Sequence, residues 1–148
     1  MKISPRWMRH LLNIYGPYVG AGVHLTHISN DWRELRVSMK LRWYNRNIMG
    51  THFGGSLYSM VDPHFMLLLM KRLGSSYIVW DKSAHIDFIR AVKVPVHAEF
   101  RISEEDEARI KEMTSNGQKY LPEFEVPITD DEGQTVALVH KVLYVRKK

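Results

Sequence analysis

Residues 50–64 hold the side chains and backbone groups best suited to chemistry in this chain. Two adjacent glycines, Gly54 and Gly55, stand directly before a long apolar run. Glycines at the start of a helix leave backbone N–H groups unshielded, so a ligand carbonyl can approach them and be polarised there. Such a helix start can serve as an oxyanion hole, although a plain tight turn into a helix has the same spacing.

Asp62 follows Gly55 by seven residues, within a run that is otherwise apolar. On a helix this spacing is about two turns, which puts both residues on the same side. A carboxylate among apolar side chains costs free energy unless it is paired, hydrogen-bonded or protonated. Two interpretations are open: a general base or nucleophile, and a structural carboxylate held by backbone or arginine groups. Pro63 predicts either a kink beside Asp62 or the start of a second helix.

Further candidates lie in the loop that precedes the apolar run. Asn45 and His52 could reach the same pocket, although asparagine is also common in turns. A metal site formed by His52, Asp62 and His64 is disfavoured, because residues two apart on a helix do not face each other. The chain also has no His-x-x-x-His pair. We therefore expect no metal and no other cofactor.

Hydrophobic periodicity predicts an α+β chain with three helices and six strands. The first helix, in residues 1–17, is amphipathic, with Ser4 as its N-cap and with Gly16 and Pro17 at its end. The second is a buried helix at 56–70, and the third is a surface helix at 103–116 that begins with a capping-box-like sequence at residues 103–106. The strands are predicted at residues 22–29, 33–43, 84–90, 94–102, 119–128 and 134–145. A helix that is apolar on nearly every side must be enclosed, so we expect an antiparallel sheet wrapped around it, as in the hotdog fold. Other α+β sheets with one helical face share this periodicity.

Composition bounds the organisation and the partners of the protein. A chain of 148 residues and 17.4 kDa suits one core, so we expect a single domain over residues 1–148 with its hotdog core at 18–148. The absence of cysteine excludes a thiol nucleophile, a disulfide and a cysteine-ligated metal. The dispersed net charge of +5 suits an anionic partner better than a nucleic acid. We expect no membrane association and a cytoplasmic location, since no apolar run is long enough to span a bilayer and no signal peptide is evident.

The motif resembles a known family of enzymes. Asn45, Gly54, Gly55 and Asp62 match the pattern of hotdog-fold acyl-CoA thioesterases of the phenylacetate-pathway type, which is an upstream Asn, then His-Gly-Gly, then a helix with Ala-Asp. Here Phe53 separates the histidine from the glycines, and Pro63 is foreign to that pattern.

A larger set of segments resembles an uncharacterised bacterial subfamily of hotdog proteins, catalogued as a domain of unknown function. Its likeness covers about residues 22–146 and includes the proline after the aspartate. The matching segments, besides Asn45, are residues 50–57, 61–63, 119–124 and 141–146.

The resemblance implies hydrolysis of an acyl-CoA or acyl-carrier-protein thioester. In this hypothesis the thioester carbonyl points at the Gly55 N–H, and Asp62 acts as general base or nucleophile. Asn45 orients the water or the carbonyl, and His52 is the fourth catalytic candidate. The candidates for substrate binding are Gly54, Arg90 at the coenzyme A entrance, and Tyr58 and Met66 along an acyl channel. Aromatic and methionine side chains on a buried helix are also common as plain core.

The resemblance further implies a homodimer, or a homotetramer of two such dimers, with each site lying between two subunits. Two other functions remain open. A hotdog dehydratase or hydratase would use His52 with Asp62, and a non-catalytic acyl-CoA binder would keep Asp62 as a structural group.

Overall fold

A computed structural model describes residues 2–148, which build a six-stranded antiparallel sheet of order β1-β2-β4-β5-β6-β3. The strands are β1 Val23–Ile28, β2 Glu34–Met39, β3 Tyr77–Phe88, β4 Val96–Arg101, β5 Glu123–Asp130 and β6 Thr135–Lys147. The helices are α1 Pro5–Asn13, α2 Gly16–Ala21, α3 Gly54–Ser59, α4 His64–Leu73 and α5 Glu104–Met113. No helix in residues 2–148 is long and apolar enough to cross a membrane.

The inner face of the sheet carries the core, as the alternating sequence predicts. In β2, Leu35, Val37 and Met39 are buried while Arg36 is exposed. The predicted strand extended to Trp43, but β2 ends at Met39 and Trp43 is 80% exposed. The reason is local, because the Asn45 side chain bonds backbone groups of the segment after Met39 that would otherwise extend the ladder.

Strand β3 forms a free edge of the sheet and is longer than predicted. It begins at Tyr77, whereas the prediction started it at residue 84. Its register against β6 shifts between Asp81 and Ser83, which is a β-bulge at Lys82. The bulge interrupts the alternation of apolar residues, which is why the sequence pattern revealed only the second half of the strand.

The central helix is two helices. The prediction of one helix over residues 56–70 is wrong, and the alternative that Pro63 marks the start of a second helix is confirmed, because α3 ends at Ser59 and α4 starts at His64. Proline has no N–H to bond the carbonyl four residues earlier, so the chain turns here and restarts. The prediction that the central helix is buried on every side is also wrong for a single chain, since Met70 on α4 is 49% exposed.

The N-terminal segment also contains two helices. Ser4 caps α1 as predicted, its hydroxyl accepting from the Trp7 N–H at 3.3 Å. The prediction that Gly16 and Pro17 end the helical region is wrong, because they open α2. Proline suits the first turn of a helix, where its missing N–H is not needed.

Helix α5 begins with the predicted capping box, formed by Ser103 and Asp106. One turn later the buried Glu107 carboxylate accepts from Arg33 at 2.8 Å and from Arg72 at 2.7 Å. Arg33 precedes β2 and Arg72 lies near the end of α4. Glu107 therefore ties α5 to the central helix and to the sheet. Burial alone would raise the pKa of Glu107, but hydrogen bonds from Lys111 and Arg72 outweigh it and lower that pKa.

Replacing Glu107 with Gln is expected to lower the free energy of unfolding by about 2 kcal/mol, because the neighbouring guanidinium groups lose their carboxylate. The measurement is urea unfolding at neutral pH. Glu112→Gln, an exposed residue at the other end of α5, is the matched control and should change stability by less than about 0.5 kcal/mol. Equal effects of the two substitutions would show that the Glu107 contacts do not stabilise the fold.

Candidate active site

The start of α3 presents the predicted glycine pair. Within residues 2–148 no side chain caps this helix, and the Phe53 N–H donates to the Asn45 carbonyl at 3.0 Å. A Cβ at Gly54 would lie 3.0 Å from the Phe88 ring, and one at Gly55 would lie 2.6 Å from the Phe53 ring. A side chain at either position would therefore have to displace one of these exposed rings, and Gly55 itself is exposed.

Asp62 lies in the turn between α3 and α4 and belongs to a polar cluster. Its Oδ1 accepts from the Tyr58 hydroxyl at 2.9 Å and from Lys141 Nζ at 3.4 Å. Lys141 Nζ also lies 3.1 Å from the Tyr58 hydroxyl and 2.8 Å from Asp81 Oδ1. The Lys141 side chain is 1% exposed, whereas that of Asp62 is 53% exposed. One oxygen of Asp62 is thus held from inside the protein while the carboxylate remains open to the outside.

The charge states of the cluster follow from burial and pairing. Burial lowers the pKa of Lys141, but hydrogen bonds to Asp81 and Tyr58 outweigh it, so the net shift is upward. Burial raises the pKa of Tyr58, which keeps the phenol protonated and able to donate to Asp62. Burial also raises the pKa of Asp81, against the opposing effect of Lys141. At neutral pH the cluster therefore contains a buried ammonium and an intact phenol.

Sequence reasoning missed Lys141 and Asp81, although Lys141 carried a usable signal. On β6 the inward positions Val139, Leu143 and Val145 are all apolar, and Lys141 occupies the same face. A lysine at an inward position of a buried strand needs a partner, and Asp62 was an acid in a mostly apolar run that also needed one. Lys141 and Asp62 are therefore the partners that each of these two charged groups needs.

A second group of predicted residues lines a different cavity, of about 280 Å³, between the start of α3 and residues 88–92. His52, Gly54 and Arg90 are part of its lining. Arg90 donates to Asp130 Oδ2 at 2.7 Å and to the Thr135 carbonyl at 3.3 Å. Its predicted contact with coenzyme A phosphates stays a prediction.

His52 is buried and its Nε2 lies 2.7 Å from the Val94 carbonyl oxygen. Burial lowers the pKa of His52, so the ring is neutral, and Nε2 carries the proton that it donates to that carbonyl. Nδ1 is buried without a hydrogen-bond partner within residues 2–148. His52 thus offers an acceptor nitrogen, and its catalytic role stays a prediction. In the described part of the chain, no group of three or more His, Cys, Asp or Glu is arranged to hold a metal ion.

Asn45 is fully engaged with the backbone. Its side chain is buried, with Oδ1 accepting from the Arg42 N–H at 2.6 Å. Its Nδ2 donates to the Lys40 carbonyl at 2.9 Å and to the Ala21 carbonyl at 3.3 Å. These bonds use both amide hydrogens, so the side chain fixes the loop before α3. Its predicted role of orienting water or substrate stays a prediction.

The structure therefore separates the predicted site residues within one chain. Tyr58 joins Asp62, whereas His52, Gly54 and Arg90 share the cavity beside α3. Met66 is half-buried on α4 and packs against the core.

His64, two residues after Asp62, is completely buried beneath the site. Its Nε2 is hydrogen-bonded to the Tyr18 hydroxyl, and its ring lies 4.7 Å from that of Phe100. Burial lowers the pKa of His64 to about 3, so the ring stays neutral. Burial also raises the pKa of Tyr18, which keeps its hydroxyl a donor. This contact anchors the start of α4 to α2.

A family described as "Domain of unknown function (DUF4442)" matches residues 5–145. The chain belongs to this family. This match confirms the predicted resemblance to such a family. No curated relative matches the DUF4442 chain in sequence.

Solved structures resemble this DUF4442 protein over nearly its whole length. A Pseudomonas aeruginosa protein of unknown function, described as a probable thioesterase, has TM-score 0.88 and 19% identity over 100% of this chain and 99% of its own. A thioesterase from Haemophilus influenzae has TM-score 0.71 and 11% identity over 99% and 93% of the two chains. A mutant of the phenylacetic acid degradation protein PaaI from Thermus thermophilus has TM-score 0.60 and 20% identity over 86% and 96%. The fold is the hotdog fold, as predicted.

The stability of the protein is expected to fall as the pH drops from about 6.5 towards 3, because His64 must stay neutral in the folded state. In the unfolded chain this imidazole binds a proton near its ordinary pKa of 6.5, whereas in the folded chain it resists protonation down to about 3. Proton binding thus favours unfolding, by as much as about 5 kcal/mol over the full window.

The measurement is the free energy of unfolding in urea at pH 7, 6, 5 and 4 for the parent and for His64→Gln. The Gln amide can still accept from Tyr18 but does not titrate, so the variant should show a flatter dependence on pH. Parallel curves for the two proteins would mean that His64 does not cause the loss.

Proposed function

We propose that this DUF4442 protein hydrolyses acyl thioesters to a free acid and a thiol. The observation that carries the proposal is the half-exposed Asp62 carboxylate, one oxygen of which is held by Tyr58 and Lys141. A carboxylate oriented in this way is suited to activate water or to attack a carbonyl. The likeness in fold to proteins described as thioesterases supports the same reaction.

In the proposed reaction each part of the cluster has a separate task. Tyr58 and Lys141 bind Oδ1, which leaves Oδ2 of Asp62 to take a proton from water or to attack the thioester carbon. The carbonyl oxygen, which becomes negative in the transition state, is held by the Gly55 N–H. When Asp62 acts as base, the water oxygen adds to the thioester carbon, the carbon–sulfur bond breaks, and the thiolate takes back the proton held by Asp62. When Asp62 acts as nucleophile, the thiolate leaves as an acyl–Asp62 anhydride forms, and water then cleaves this anhydride to the acid and the free carboxylate while its other proton goes to the thiolate.

A second copy of the chain is needed to complete this arrangement. Gly55 lies in the first turn of α3 and Asp62 in the turn that follows this six-residue helix, so the two groups lie at opposite ends of a helix about 9 Å long and do not hold one carbonyl together. Strand β3 is a free edge, and its Trp80 and Phe88 are 64% and 59% exposed. Pairing of two β3 edges across a two-fold axis would bring Asp62 towards Gly55 of the partner subunit. We therefore propose a homodimer, with acyl-CoA or an acyl-carrier protein as the thioester.

Asp62→Asn is expected to reduce thiol release at least 100-fold, since the amide cannot act as base or nucleophile. The assay measures thiol release from short, medium, long-chain and aromatic acyl-CoAs, and the protein adds no thiol of its own because it has no cysteine. Asp131→Asn, an exposed residue in the β5–β6 turn, is the matched control and should retain full activity.

Two results would contradict the proposal. One is hydrolysis by Asp62→Asn at the parent rate. The other is no release from any ester by the parent despite measurable ester binding, which would indicate a non-catalytic acyl-CoA binder.

Tyr58→Phe is expected to lower kcat about tenfold while KM stays nearly constant, because the lost hydrogen bond orients Asp62 and does not touch the substrate. Steady-state kinetics on the best ester of the panel test this, with Tyr77→Phe as the control. A raised KM with unchanged kcat would instead support the acyl-channel role that the sequence suggested for Tyr58.

A further inference from the structure

A cavity of about 430 Å³ lies between the N-terminal helices and the outward side of β1 and β2. Its volume falls in the range of small-molecule sites. It is separate from the Asp62 cluster, none of whose members lines it. The lining residues that matter are His24, Lys40, Arg42 and Tyr44, together with Tyr18 from α2.

The charged groups of this cavity are all basic. No carboxylate is among its lining residues, and neither Lys40 nor Arg42 is salt-bridged to a carboxylate within residues 2–148. Other cations of the outer surface are paired, such as Arg36 and Arg101 with Glu34. Two unpaired cations beside a concave surface favour an anionic ligand.

The wall that carries these cations is rigidly held. The Asn45 side chain bonds the Lys40 carbonyl and the Arg42 N–H, so it fixes the backbone at both positions. Gly22, which also lines the cavity, is so close that a Cβ there would lie 2.2 Å from Asn45 Nδ2. The Asn45 carbonyl in turn accepts from Phe53 at the start of α3. One residue thus connects the basic cavity with the helix start proposed to bind the thioester carbonyl.

The lining residues, which lie between positions 13 and 44, come from the more basic part of the sequence. Residues 1–61 contain eight Lys and Arg against two Asp and Glu, whereas residues 62–148 contain 13 against 14. A ligand with several negative charges would be attracted to Lys40 and Arg42 at the cavity. The Tyr44 ring, 45% exposed at the cavity, offers an aromatic surface to a flat base.

We infer that this cavity binds the phosphorylated nucleotide end of coenzyme A, with Lys40 and Arg42 on its phosphates and Tyr44 against its base. The inference rests on the proposed function for the identity of the ligand. It assigns a free acyl-CoA as the substrate in place of an acyl-carrier protein, since a small, concave and basic site suits a nucleotide.

The test is isothermal titration of the full chain with adenosine 3′,5′-bisphosphate and with coenzyme A at low salt. The double variant Lys40→Gln/Arg42→Gln should bind both probes at least tenfold more weakly than the parent. Lys119→Gln/Arg146→Gln, which removes the same two charges from exposed positions elsewhere, should bind as the parent does. Added salt should weaken binding more in the parent than in the first variant.

Three results would overturn the inference: no binding of either probe by the parent, equal binding by Lys40→Gln/Arg42→Gln, or equal loss in both double variants. Inorganic phosphate that competes as well as the bisphosphate would also overturn it, because the nucleotide would then add nothing. Hydrolysis of an acyl-N-acetylcysteamine, which lacks the nucleotide, by the parent tests the Asp62 chemistry separately. Probe binding without any thioester hydrolysis would therefore count against the proposed function alone.

Discussion

The pairing of Lys141 with two carboxylates constrains more of this structure than any other contact. Enclosing an ammonium group costs several kcal/mol, which only close and well-directed partners can offset. The partners come from three separate elements: Asp81 from the edge strand, and Tyr58 and Asp62 from α3 and the turn after it. A single nitrogen atom thus fixes the edge of the sheet relative to the central helices. The carboxylate proposed for catalysis is one of the groups that neutralise it.

The break in the central helix serves the same contact. In an unbroken helix the carboxylate after Val61 would lie among the apolar side chains of the central helix. The turn that Pro63 requires places Asp62 at the outside of the core, with one oxygen directed back to Lys141. Asn45 works in a comparable way on the preceding loop, where its amide replaces the ladder bonds that β2 gives up. Both features use a backbone interruption to place a side chain, Asn45 before the start of α3 and Asp62 after its end.

Much of the fold could be predicted from local patterns, because each pattern has a direct physical cause. The alternation in β2 and the Ser103 capping box needed only neighbouring residues, and both are present. The helix start at Gly54 and the acid at Asp62 could be recognised from their types and spacing. The partners of Asp62 could not, because Lys141 lies 79 positions away and only the sheet brings it near. The start of β3 was missed because the bulge at Lys82 interrupts the period on which strand prediction relies.

That bulge also limits how the protein can associate. Before it Val79 and Asp81 point inward, and after it Ile86 does, so the strand changes which of its residues face the core. A free edge of 12 residues would otherwise be a straight template for any extended chain. Because the strand bends at the bulge and carries the charged Lys82 there, this edge accepts a matching strand along only part of its length. The bulge next to Asp81 therefore also opposes open-ended growth of the protein into β-aggregates.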